Sequence, residues 1–270
     1  AFDEPLSRHT TFRIGGPCRV WAEPRDLGDL VKILKFAKQK KIEIFVIGNG
    51  SNILARDKGF GGMVIHLGGG FFKKKFTYGN KISVGAGFTL GAFLEETRNK
   101  GLAGVEGLEG IPGTVGGAIF MNAGYRQNIS DCLENVTVLD KKNLTLRVLR
   151  KKNIHFVYRQ SDLKRYIILS AVFKLKKTDR ARIACERERI LIHKKETQPL
   201  DKPSAGCVFK NPAGKISAGK YIEKAGLKGA RCGGARISEK HGNFIVNEKR
   251  AKSRDVLGLM DIAKKRVRKR

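Results

Sequence analysis

The spacing of apolar residues along the chain predicts both helices and strands. Leu27, Leu30 and Ala37 recur at the spacing of one face of an amphipathic helix. Similar spacing predicts helices over 26–40, 89–101, 179–197, 217–226 and from Ser253 to the end of the chain. Ser253 is a good helix N-cap, and Gly101 is a suitable helix stop.

Short apolar runs between turn-forming residues predict strands. They lie at 42–47, 63–67, 82–87, 136–140, 144–149, 166–175 and 244–247. The three runs between 136 and 175, with a turn at Asp140–Asn143, are typical of an antiparallel meander. Helices and strands do not alternate with the spacing of parallel crossover units, so the pattern favours an α+β fold with mixed sheets.

Length and composition indicate a globular, reduced protein. The 270 residues suffice for one large domain or a few small ones, and the prolines and glycine of 198–206 predict a domain boundary. The five cysteines are odd in number and form no Cys-x-x-Cys pair, which argues against a disulfide framework or a metal site. No apolar run reaches membrane-spanning length, and the first residues do not resemble a signal peptide. We therefore expect a cytoplasmic location without membrane insertion.

The net charge of +30 is the most unusual feature of the composition. Such a charge suits nucleic acid, an anionic membrane surface or ligands rich in phosphate. The basic residues nevertheless occur in short scattered clusters that are not interleaved with aromatic stacking residues. We therefore predict a solvated basic surface and no nucleic-acid partner, with a nucleic-acid-binding basic protein as an alternative.

A glycine-rich loop directly after the predicted strand 42–47 is the first candidate binding site. It comprises Ile47, Gly48, Asn49, Gly50, Ser51 and Asn52. Glycines two positions apart let the backbone approach a ligand closely, and successive N–H groups can form an anion site. The loop is not a Rossmann fingerprint, because the third glycine would fall on Ile53. A purely structural turn is the alternative.

A second glycine-rich segment covers 107–124. Its candidate binding residues are Gly110, Pro112, Gly113, Thr114, Gly116, Gly117, Asn122, Ala123 and Gly124. Glycine in apolar surroundings often marks a place where a ligand or another backbone lies close to the chain. Two such loops suggest one long ligand held at two points, such as a dinucleotide. The alternative is a tight helix start packed on a sheet.

Two further positions carry side chains that suit catalysis. Arg159, next to Tyr158, could hold a carboxylate in a bidentate grip, although a surface arginine is the simpler interpretation. Cys207 follows small residues on a predicted turn and precedes Lys210 and Asn211. A thiol is mostly protonated at neutral pH, so Cys207 could donate a proton. A nucleophilic thiolate favoured by Lys210 and a buried structural cysteine are the alternatives.

Seven segments, taken in order, resemble the flavoenzyme family of UDP-N-acetylenolpyruvoylglucosamine reductases, known as MurB. They are HTTFRIGGP (9–17), VIGNGSNIL (46–54), GLEGIPGTVGGAIFMNAG (107–124), FVYRQSDLK (156–164), QPLDKPSAGCVFKNPAG (198–214), GLKGARCGGARIS (226–238) and HGNFIVNEKRAKSRDVLGLM (241–260). Each segment alone is modest, but seven in register over nearly the whole chain are very specific. The segment before Cys207 resembles the shorter subtype of the family.

The resemblance implies a fold, a cofactor and a reaction. The fold would be a two-lobed FAD-binding domain of the vanillyl-alcohol-oxidase-like type with mixed sheets, plus a smaller α+β substrate-binding domain. The lobes would be 1–67 and 68–178, and the substrate domain 179–270. The resemblance further implies non-covalent FAD, with NADPH as hydride donor. The reaction would reduce UDP-N-acetylglucosamine enolpyruvate to UDP-N-acetylmuramate in peptidoglycan precursor synthesis, in a cytoplasmic monomer without a metal.

The resemblance also implies roles for individual residues. Arg159 would hold and polarise the substrate carboxylate, and Cys207 would donate the proton that a serine usually donates in the family. Tyr158, Lys194, Lys210 and Asn211 would lie in the substrate cleft, with Lys194 where an arginine is usual. The two glycine-rich loops would bind FAD.

Two departures from the family pattern bear on activity. Family members continue past the last helix into a strand whose glutamate assists catalysis, whereas this sequence ends at Arg270. Either the tail lies beyond the given sequence or the protein is catalytically impaired. The family also usually has a small residue and a glycine after Gly124, where this chain has Tyr125-Arg126-Gln127. The alternatives are an impaired flavin- or nucleotide-binding relative and a flavin oxidase of the same fold.

Overall fold

Helices and strands occur throughout residues 1–269, the part of the chain that the structure, a computed structural model, describes. The α-helices are α1 (Leu27–Gln39), α2 (Leu90–Asn99), α3 (Val115–Phe120), α4 (Arg180–Thr197), α5 (Ala218–Lys224) and α6 (Ser253–Arg268). The strands are β1 (Phe2–Pro5), β2 (Pro17–Ala22), β3 (Ile44–Ile47), β4 (Phe60–His66), β5 (Lys75–Tyr78), β6 (Lys81–Gly85), β7 (Leu102–Ala103), β8 (Gly124–Tyr125), β9 (Gln127–Asn128), β10 (Leu133–Asp140), β11 (Leu146–Arg150), β12 (Phe156–Val157), β13 (Gln160–Ser161), β14 (Tyr166–Lys174), β15 (Lys176–Lys177), β16 (Ser204–Cys207), β17 (Arg231–Cys232), β18 (Ala235–Ile237) and β19 (Phe244–Asn247). The predicted α+β class is confirmed.

The chain folds into two units, which are described separately. The first unit comprises Ala1–Trp21, Asn49–Gly62 and His193–Arg270, and the second comprises Ala22–Gly48 and Met63–Ile192. The predicted lobes 1–67 and 68–178 and the substrate domain 179–270 stay a prediction. Arg270, the last residue of that predicted domain, lies outside the described residues.

A five-stranded antiparallel sheet forms the core of the second unit, in the order β11-β10-β14-β6-β5. The predicted meander is wrong in its order, because β14 pairs with β10 rather than with β11. The apolar strand β10 is largely buried and lies inside the sheet, whereas β11 carries two arginines and is mostly exposed at the edge. Edge strands commonly carry charge, which blocks further pairing. In the same unit β3 and β4 pair in parallel, so both kinds of pairing occur.

The sequence-predicted helices of the second unit begin at side-chain caps. The Asp26 carboxylate accepts a hydrogen bond from the Asp29 N–H at the start of α1, and the Thr89 hydroxyl does the same for Ala92 in α2. These bonds satisfy N–H groups that the first turn leaves unpaired. Gly101, the predicted stop, follows α2 with a φ of +63°, a left-handed conformation that favours glycine.

A second antiparallel sheet organises the C-terminal part of the first unit, in the order β16-β19-β18-β17. Helix α6 packs against this sheet, and its buried Val256 and Leu259 join Ile237 and Ile245 in one apolar cluster. The cluster also takes in Phe12 from the N-terminal segment. The sheet that carries Cys207 therefore rests on a continuous core.

The start of α6 is held by a residue far away in sequence. Ser253 was expected to cap this helix, but it is the first helical residue, and its hydroxyl donates to the Asp57 carboxylate at 2.9 Å. That carboxylate also accepts the Ser253 N–H at 2.8 Å, while the Asp57 N–H donates back to the Ser253 hydroxyl at 3.0 Å. Asp57 thus supplies the negative charge that favours a helix N-terminus.

We expect Asp57→Asn to lower the free energy of unfolding at neutral pH by about 1 kcal/mol, the usual worth of a helix cap. Burial opposes ionisation of Asp57, but the hydrogen bonds from the N–H and hydroxyl of Ser253 outweigh it and lower its pKa. A lowered pKa stabilises the fold above the ordinary aspartate pKa of about 4, and this contribution disappears as the pH falls through the folded-state value.

Denaturant unfolding of the parent and variant at several pH values checks this expectation. The difference in stability should shrink as the pH falls below about 4, because the asparagine does not titrate. Asp261→Asn is the control. Asp261 lies on the same helix, but its carboxylate is exposed and makes only a long ion pair, with 3.9 Å between its Oδ1 and Lys264 Nζ. It should change stability little. A difference for Asp57→Asn that stays constant at low pH would contradict the role of the charge.

Candidate active site

Gly50, in the first glycine-rich loop, is required by its own packing. Its φ is +58°, and a Cβ atom there would lie 2.1 Å from the carbonyl oxygen of His9. The Gly50 carbonyl oxygen also accepts the Thr11 N–H at 3.3 Å. The alternative of a purely structural turn therefore explains at least Gly50. Any side chain at this position would disturb the packing of the first unit, whether or not a ligand is bound.

The second unit brings Gly48 close to the other glycine-rich segment. A Cβ atom on Gly48 would lie 2.4 Å from Thr114 Oγ1, so the strand end at Ile47 and the start of α3 are in close contact. Thr114 is buried, and its hydroxyl accepts the Gly117 N–H at 3.3 Å as the cap of α3. Gly48 and Thr114, which lie more than sixty residues apart in the sequence, therefore bring the two glycine-rich motifs into contact.

Helix α3 occupies the centre of the second glycine-rich segment. A Cβ atom on Gly116 would lie 2.8 Å from that of Ala86, the residue directly after β6, and the Gly116 N–H donates to the Ala86 carbonyl oxygen at 2.9 Å. The alternative interpretation of this segment, a tight helix start packed on a sheet, is thus present at the start of α3. Close packing explains Gly116, while Gly117 is exposed and has no such constraint.

Arg159 lies against the end of this glycine-rich segment. Its guanidinium donates to the carbonyl oxygens of Asn122, at 3.3 Å, and Gly124. The Asn122 amide donates to the Val157 carbonyl oxygen at 3.1 Å, and the Ser161 hydroxyl donates to that of Phe120 at 2.8 Å. These four hydrogen bonds join 157–161 to 120–124, and we call the arrangement the arginine clasp.

The clasp leaves Arg159 able to bind more than the backbone. Two of the five guanidinium N–H groups are used by the two carbonyl oxygens, so the others can meet a carboxylate. Arg159 is half-buried, and its guanidinium carbon lies 5.0 Å from the ring centre of Tyr158, which is exposed. Its φ of +56° is uncommon for a residue with a side chain. Seven other non-glycine residues among those described also have a positive φ, so this strain does not by itself mark Arg159 as functional.

The residues around the clasp fit FAD. Asn122 is 4% exposed, and its Oδ1 has no hydrogen-bond partner among the described residues. A buried acceptor without a partner is costly, and an N–H group of a bound flavin would satisfy it. The exposed Gly117 and Pro112 leave the neighbouring backbone open to a flat ligand. Tyr125 and Gln127, which depart from the family pattern, pair in a tight hairpin around Arg126.

Cys207 lies in the first unit at the end of β16, where it pairs with Phe244. The register shifts between Ser204 and Cys207, and Gly206 has a φ of +75°, which together make a β-bulge. Bulges redirect the side chain that follows, and Cys207 is exposed. The alternative of a buried structural cysteine is therefore wrong for this residue.

Two other thiols are structural instead. Cys18 is fully buried, and burial raises its pKa. Burial also raises the pKa of Cys132 to about 11, and its thiol donates to the Gly104 carbonyl oxygen at 2.8 Å. Their raised pKa values make both thiols weaker proton donors than an ordinary cysteine.

The remaining predicted substrate residues differ in their surroundings. Lys194 is only 3% exposed, which is rare for a lysine. Lys210 is exposed, and the Asn211 carbonyl oxygen Oδ1 accepts the Ala218 N–H at 3.0 Å at the start of α5. The Asn211 Oδ1 therefore stabilises the start of α5. Only the amide N–H groups of this side chain remain to donate to a ligand. Within residues 1–269, no cluster of three or more His, Cys, Asp or Glu side chains could hold a metal ion.

Sequence reasoning missed two residues that shape these sites. Ser161 anchors the arginine clasp, and Asn243 binds the segment after Cys207. Both lie inside segments that carry the family resemblance, but neither residue type by itself indicates such a task. The helices of residues 1–269 include none that is long and apolar enough to cross a membrane.

Comparison with known proteins gives consistent matches along the whole chain. A family model described as "UDP-N-acetylenolpyruvoylglucosamine reductase, C-terminal domain" matches residues 198–270, and one described as "FAD binding domain" matches 18–149. The UDP-N-acetylenolpyruvoylglucosamine reductase of Caldanaerobacter subterraneus is 42% identical over 99% of this chain and 88% of its own length. That of Bacillus subtilis is 39% identical over 99% of this chain and 89% of its own length.

A solved structure agrees with these matches. The crystal structure of UDP-N-acetylenolpyruvylglucosamine reductase (MurB) from Thermus caldophilus is 39% identical to this chain and superposes with a TM-score of 0.84. The match covers 97% of this chain and 93% of the crystallised one. Identity at this level over nearly the full length of both chains establishes common descent and a common fold. The chain belongs to the family of UDP-N-acetylenolpyruvoylglucosamine reductases.

Proposed function

We propose that this chain is an FAD-dependent reductase that uses NADPH to convert UDP-N-acetylglucosamine enolpyruvate to UDP-N-acetylmuramate. Membership of the reductase family and the matched FAD-binding domain support this activity. The two glycine-rich segments would hold FAD, which would supply the chemistry of hydride transfer from NADPH to the enolpyruvyl double bond. The protein must then hold the substrate, stabilise the negative charge that forms, and supply a proton.

Arg159 is proposed to hold the substrate carboxylate. Hydride addition to one carbon of the double bond leaves negative charge on the carbon beside the carboxylate, and that charge spreads onto the carboxylate oxygens. A cation fixed before the reaction stabilises this charge without having to reorganise. The arginine clasp is the observation that carries the proposal, because it fixes the guanidinium through two of its five N–H groups and leaves the others for the carboxylate.

Cys207 is proposed to protonate the carbon beside the carboxylate. Its thiol gives up a proton, the new C–H bond takes the electron pair of the enolate, and the resulting thiolate regains a proton from solvent. Proton donation requires an accessible side chain in a fixed direction, and the exposed Cys207 between a bulge and a strand pair has both. Lys194, Lys210, Asn211 and Tyr158 are proposed to contact the remainder of the substrate.

Substrate-dependent consumption of NADPH by the purified full-length protein tests the reaction. We expect NADPH oxidation to require both FAD and the enolpyruvyl substrate and to yield UDP-N-acetylmuramate. Flavin reduction without transfer to the substrate would support the alternative of an impaired flavin-binding relative. Rapid flavin reoxidation by oxygen, with no effect of substrate, would support a flavin oxidase.

We expect the purified protein to carry FAD that is not covalently attached, since neither glycine-rich loop contains a histidine or cysteine. The visible absorption of flavin should accompany the protein through purification and move entirely to the supernatant after acid precipitation. Asn122→Leu should lower the flavin content, because it removes the acceptor proposed to meet the flavin. Asn135→Leu is the control, since this half-buried asparagine lies in β10, which contributes no residue to the clasp. Equal flavin content in both variants would contradict the assignment of Asn122.

The working state of the protein is also part of the proposal. We propose that it acts in the cytoplasm as a monomer, with FAD-binding lobes at 1–67 and 68–178 and a substrate domain from 179 onward. The absence of a nucleic-acid partner stays a prediction. Light scattering of the FAD-loaded protein measures the oligomeric state directly, and a mass of twice that of the chain would overturn the monomer.

A further inference from the structure

The side chain of Asn243 holds the segment that follows Cys207. Its Oδ1 accepts the Phe209 N–H at 2.9 Å, and its Nδ2 donates to the Phe209 carbonyl oxygen at 2.8 Å. Its backbone carbonyl oxygen accepts the Val208 N–H at 2.9 Å. Three hydrogen bonds thus bind one residue to the two positions directly after the proposed proton donor.

These bonds extend a β-ladder beyond its last pair. Cys207 and Phe244 form the final backbone pair of β16 and β19. In an antiparallel ladder, every second pair of opposed residues exchanges an N–H and a carbonyl oxygen in both directions. The amide of Asn243 makes the same exchange with Phe209 through its side chain. An amide is suited to this task because it presents one donor and one acceptor side by side.

Asn243 is itself rigidly held. It is 2% exposed, and its N–H donates to His241 Nδ1 at 3.1 Å. The loop that carries it lies close against α5, since a Cβ atom on Gly219 would lie 2.9 Å from His241 Cε1. The bonds to Phe209 therefore connect the segment after Cys207 to a fixed support.

Cys207 is consequently constrained on both sides. Before it, Gly206 adopts a φ of +75° at the bulge, and after it Asn243 fixes Val208 and Phe209. Val208 and Phe209 also pack against the apolar cluster under the sheet. The direction of the Cys207 side chain is thus determined by the bulge and by the amide together, although the thiol is exposed.

We infer that Asn243 is a positioning residue for Cys207, and that its amide sets the direction from which the thiol proton is delivered. This inference rests on the proposed role of Cys207 as proton donor. Asn243 does not touch the reacting atoms in this account. It acts through the backbone of 207–209, so its effect should appear only in the step that uses Cys207.

The variant Asn243→Asp tests the inference with almost no change in shape. The carboxylate can still accept the Phe209 N–H, but its second oxygen would face the Phe209 carbonyl oxygen and repel it. We expect reoxidation of reduced flavin by the substrate to slow about 10–100-fold, since a displacement of about 1 Å can cost that much. Flavin reduction by NADPH should change less than about twofold, because Cys207 has no part in it.

Asn247→Asp is a matched control at the other end of β19. Its Oδ1 accepts the Ala251 N–H at 2.8 Å, and its Nδ2 donates to the Phe12 carbonyl oxygen at 3.0 Å, so its amide also accepts from and donates to backbone, although to different residues. Both variants should lower the melting temperature, Asn243→Asp by more because Asn243 is buried and Asn247 is half-buried. Only Asn243→Asp should slow reoxidation. Equal slowing in both would show a general loss of structure and would overturn the inference.

A double-mutant cycle separates positioning from a structural effect. In the Cys207→Ala background, adding Asn243→Asp should cause no further slowing, because the group that the amide positions is gone. Slowing that multiplies in the double variant would overturn the inference. If Cys207→Ala alone reoxidises at the parent rate, the proposed function of Cys207 fails first. If it is slow while Asn243→Asp behaves like Asn247→Asp, only the positioning role fails.

A second variant keeps the test valid if Asn243→Asp does not fold. Asn243→Ser removes the two bonds to Phe209 without placing a charge in the buried site. The full-length FAD-loaded protein is used for every variant, and reoxidation is followed anaerobically after reduction. We expect Asn243→Ser to slow reoxidation at least tenfold, because a displacement of the Cys207 thiol by about 1 Å can cost that much. In the Cys207→Ala background, Asn243→Ser should cause no further slowing. Reoxidation at the parent rate would overturn the inference.

Discussion

Cys207→Ala is expected to slow reoxidation of reduced flavin by the substrate about 10²–10⁴-fold, the usual contribution of a general acid. The thiol proton is then absent, and the enolate must take its proton from solvent. FAD binding and flavin reduction by NADPH should remain nearly intact, because neither involves Cys207 in the proposed mechanism. Flavin absorption, followed anaerobically after the substrate is added to reduced protein, measures the rate.

Cys207→Ser distinguishes a proton donor from a nucleophile. A serine hydroxyl keeps a small proton donor in the same place, so this variant should retain substantial activity. A nucleophilic role would instead make serine a poor substitute without an activating base, and a substrate adduct on Cys207 would be detectable by mass spectrometry. Cys185→Ala is the control, since Cys185 is also exposed but lies on α4 outside the proposed site. Reoxidation of Cys207→Ala at the parent rate would refute the assignment.

Arg159→Lys is expected to weaken transition-state stabilisation by about 2–4 kcal/mol, by analogy with the removal of an oxyanion donor. Lysine keeps the charge but loses the planar fork that can grip a carboxylate with two parallel hydrogen bonds. It also cannot hold the carbonyl oxygens of both Asn122 and Gly124 in the same way. Reoxidation by the substrate should therefore fall steeply, while reduction by NADPH changes much less.

The two half-reactions, measured separately, decide between a catalytic and a structural arginine. Arg165→Lys is a suitable control, because Arg165 also belongs to the second unit and pairs with the buried Asp140. It should affect stability but leave the ratio of the two half-reactions unchanged. An equal loss in both half-reactions for Arg159→Lys would mean that the arginine clasp only supports the fold.

The local sequence pattern was sufficient to predict those helices whose apolar residues recur with a clear periodicity. Helix α2 lies within the predicted 89–101, has buried Leu90, Phe93 and Leu94 on one face, and ends just before Gly101, the predicted stop. Apolar spacing specifies such a face because each turn of the helix repeats the same burial. The glycine-rich segments could be identified for a similar reason, since few residues other than glycine accept a positive φ or a contact such as that of Gly50 with His9.

Several other helices and strands could not be predicted, because their local sequence pattern is weak. Strand β5 lies in a lysine-rich stretch where the apolar pattern predicts no strand, and it forms because it pairs with β6. Helix α3 contains two glycines, which lower its intrinsic helix propensity. It is stabilised by the Thr114 cap and by close packing on the end of β6. Tertiary contacts override local propensity in both cases.

The sequence by itself determined the α+β class, the family, and which side chains could do the chemistry. Only the tertiary structure decided which residues support them. Three hydrogen bonds show this. Asn122 bonds to Val157, 35 residues away in the sequence, Phe209 bonds to Asn243, 34 residues away, and Asp57 bonds to Ser253, 196 residues away. Hydrogen bonds between residues so far apart leave no periodicity in the sequence, because their geometry exists only after the intervening chain has folded. The positions of Arg159 and Cys207 therefore depend on partners that no local pattern identifies.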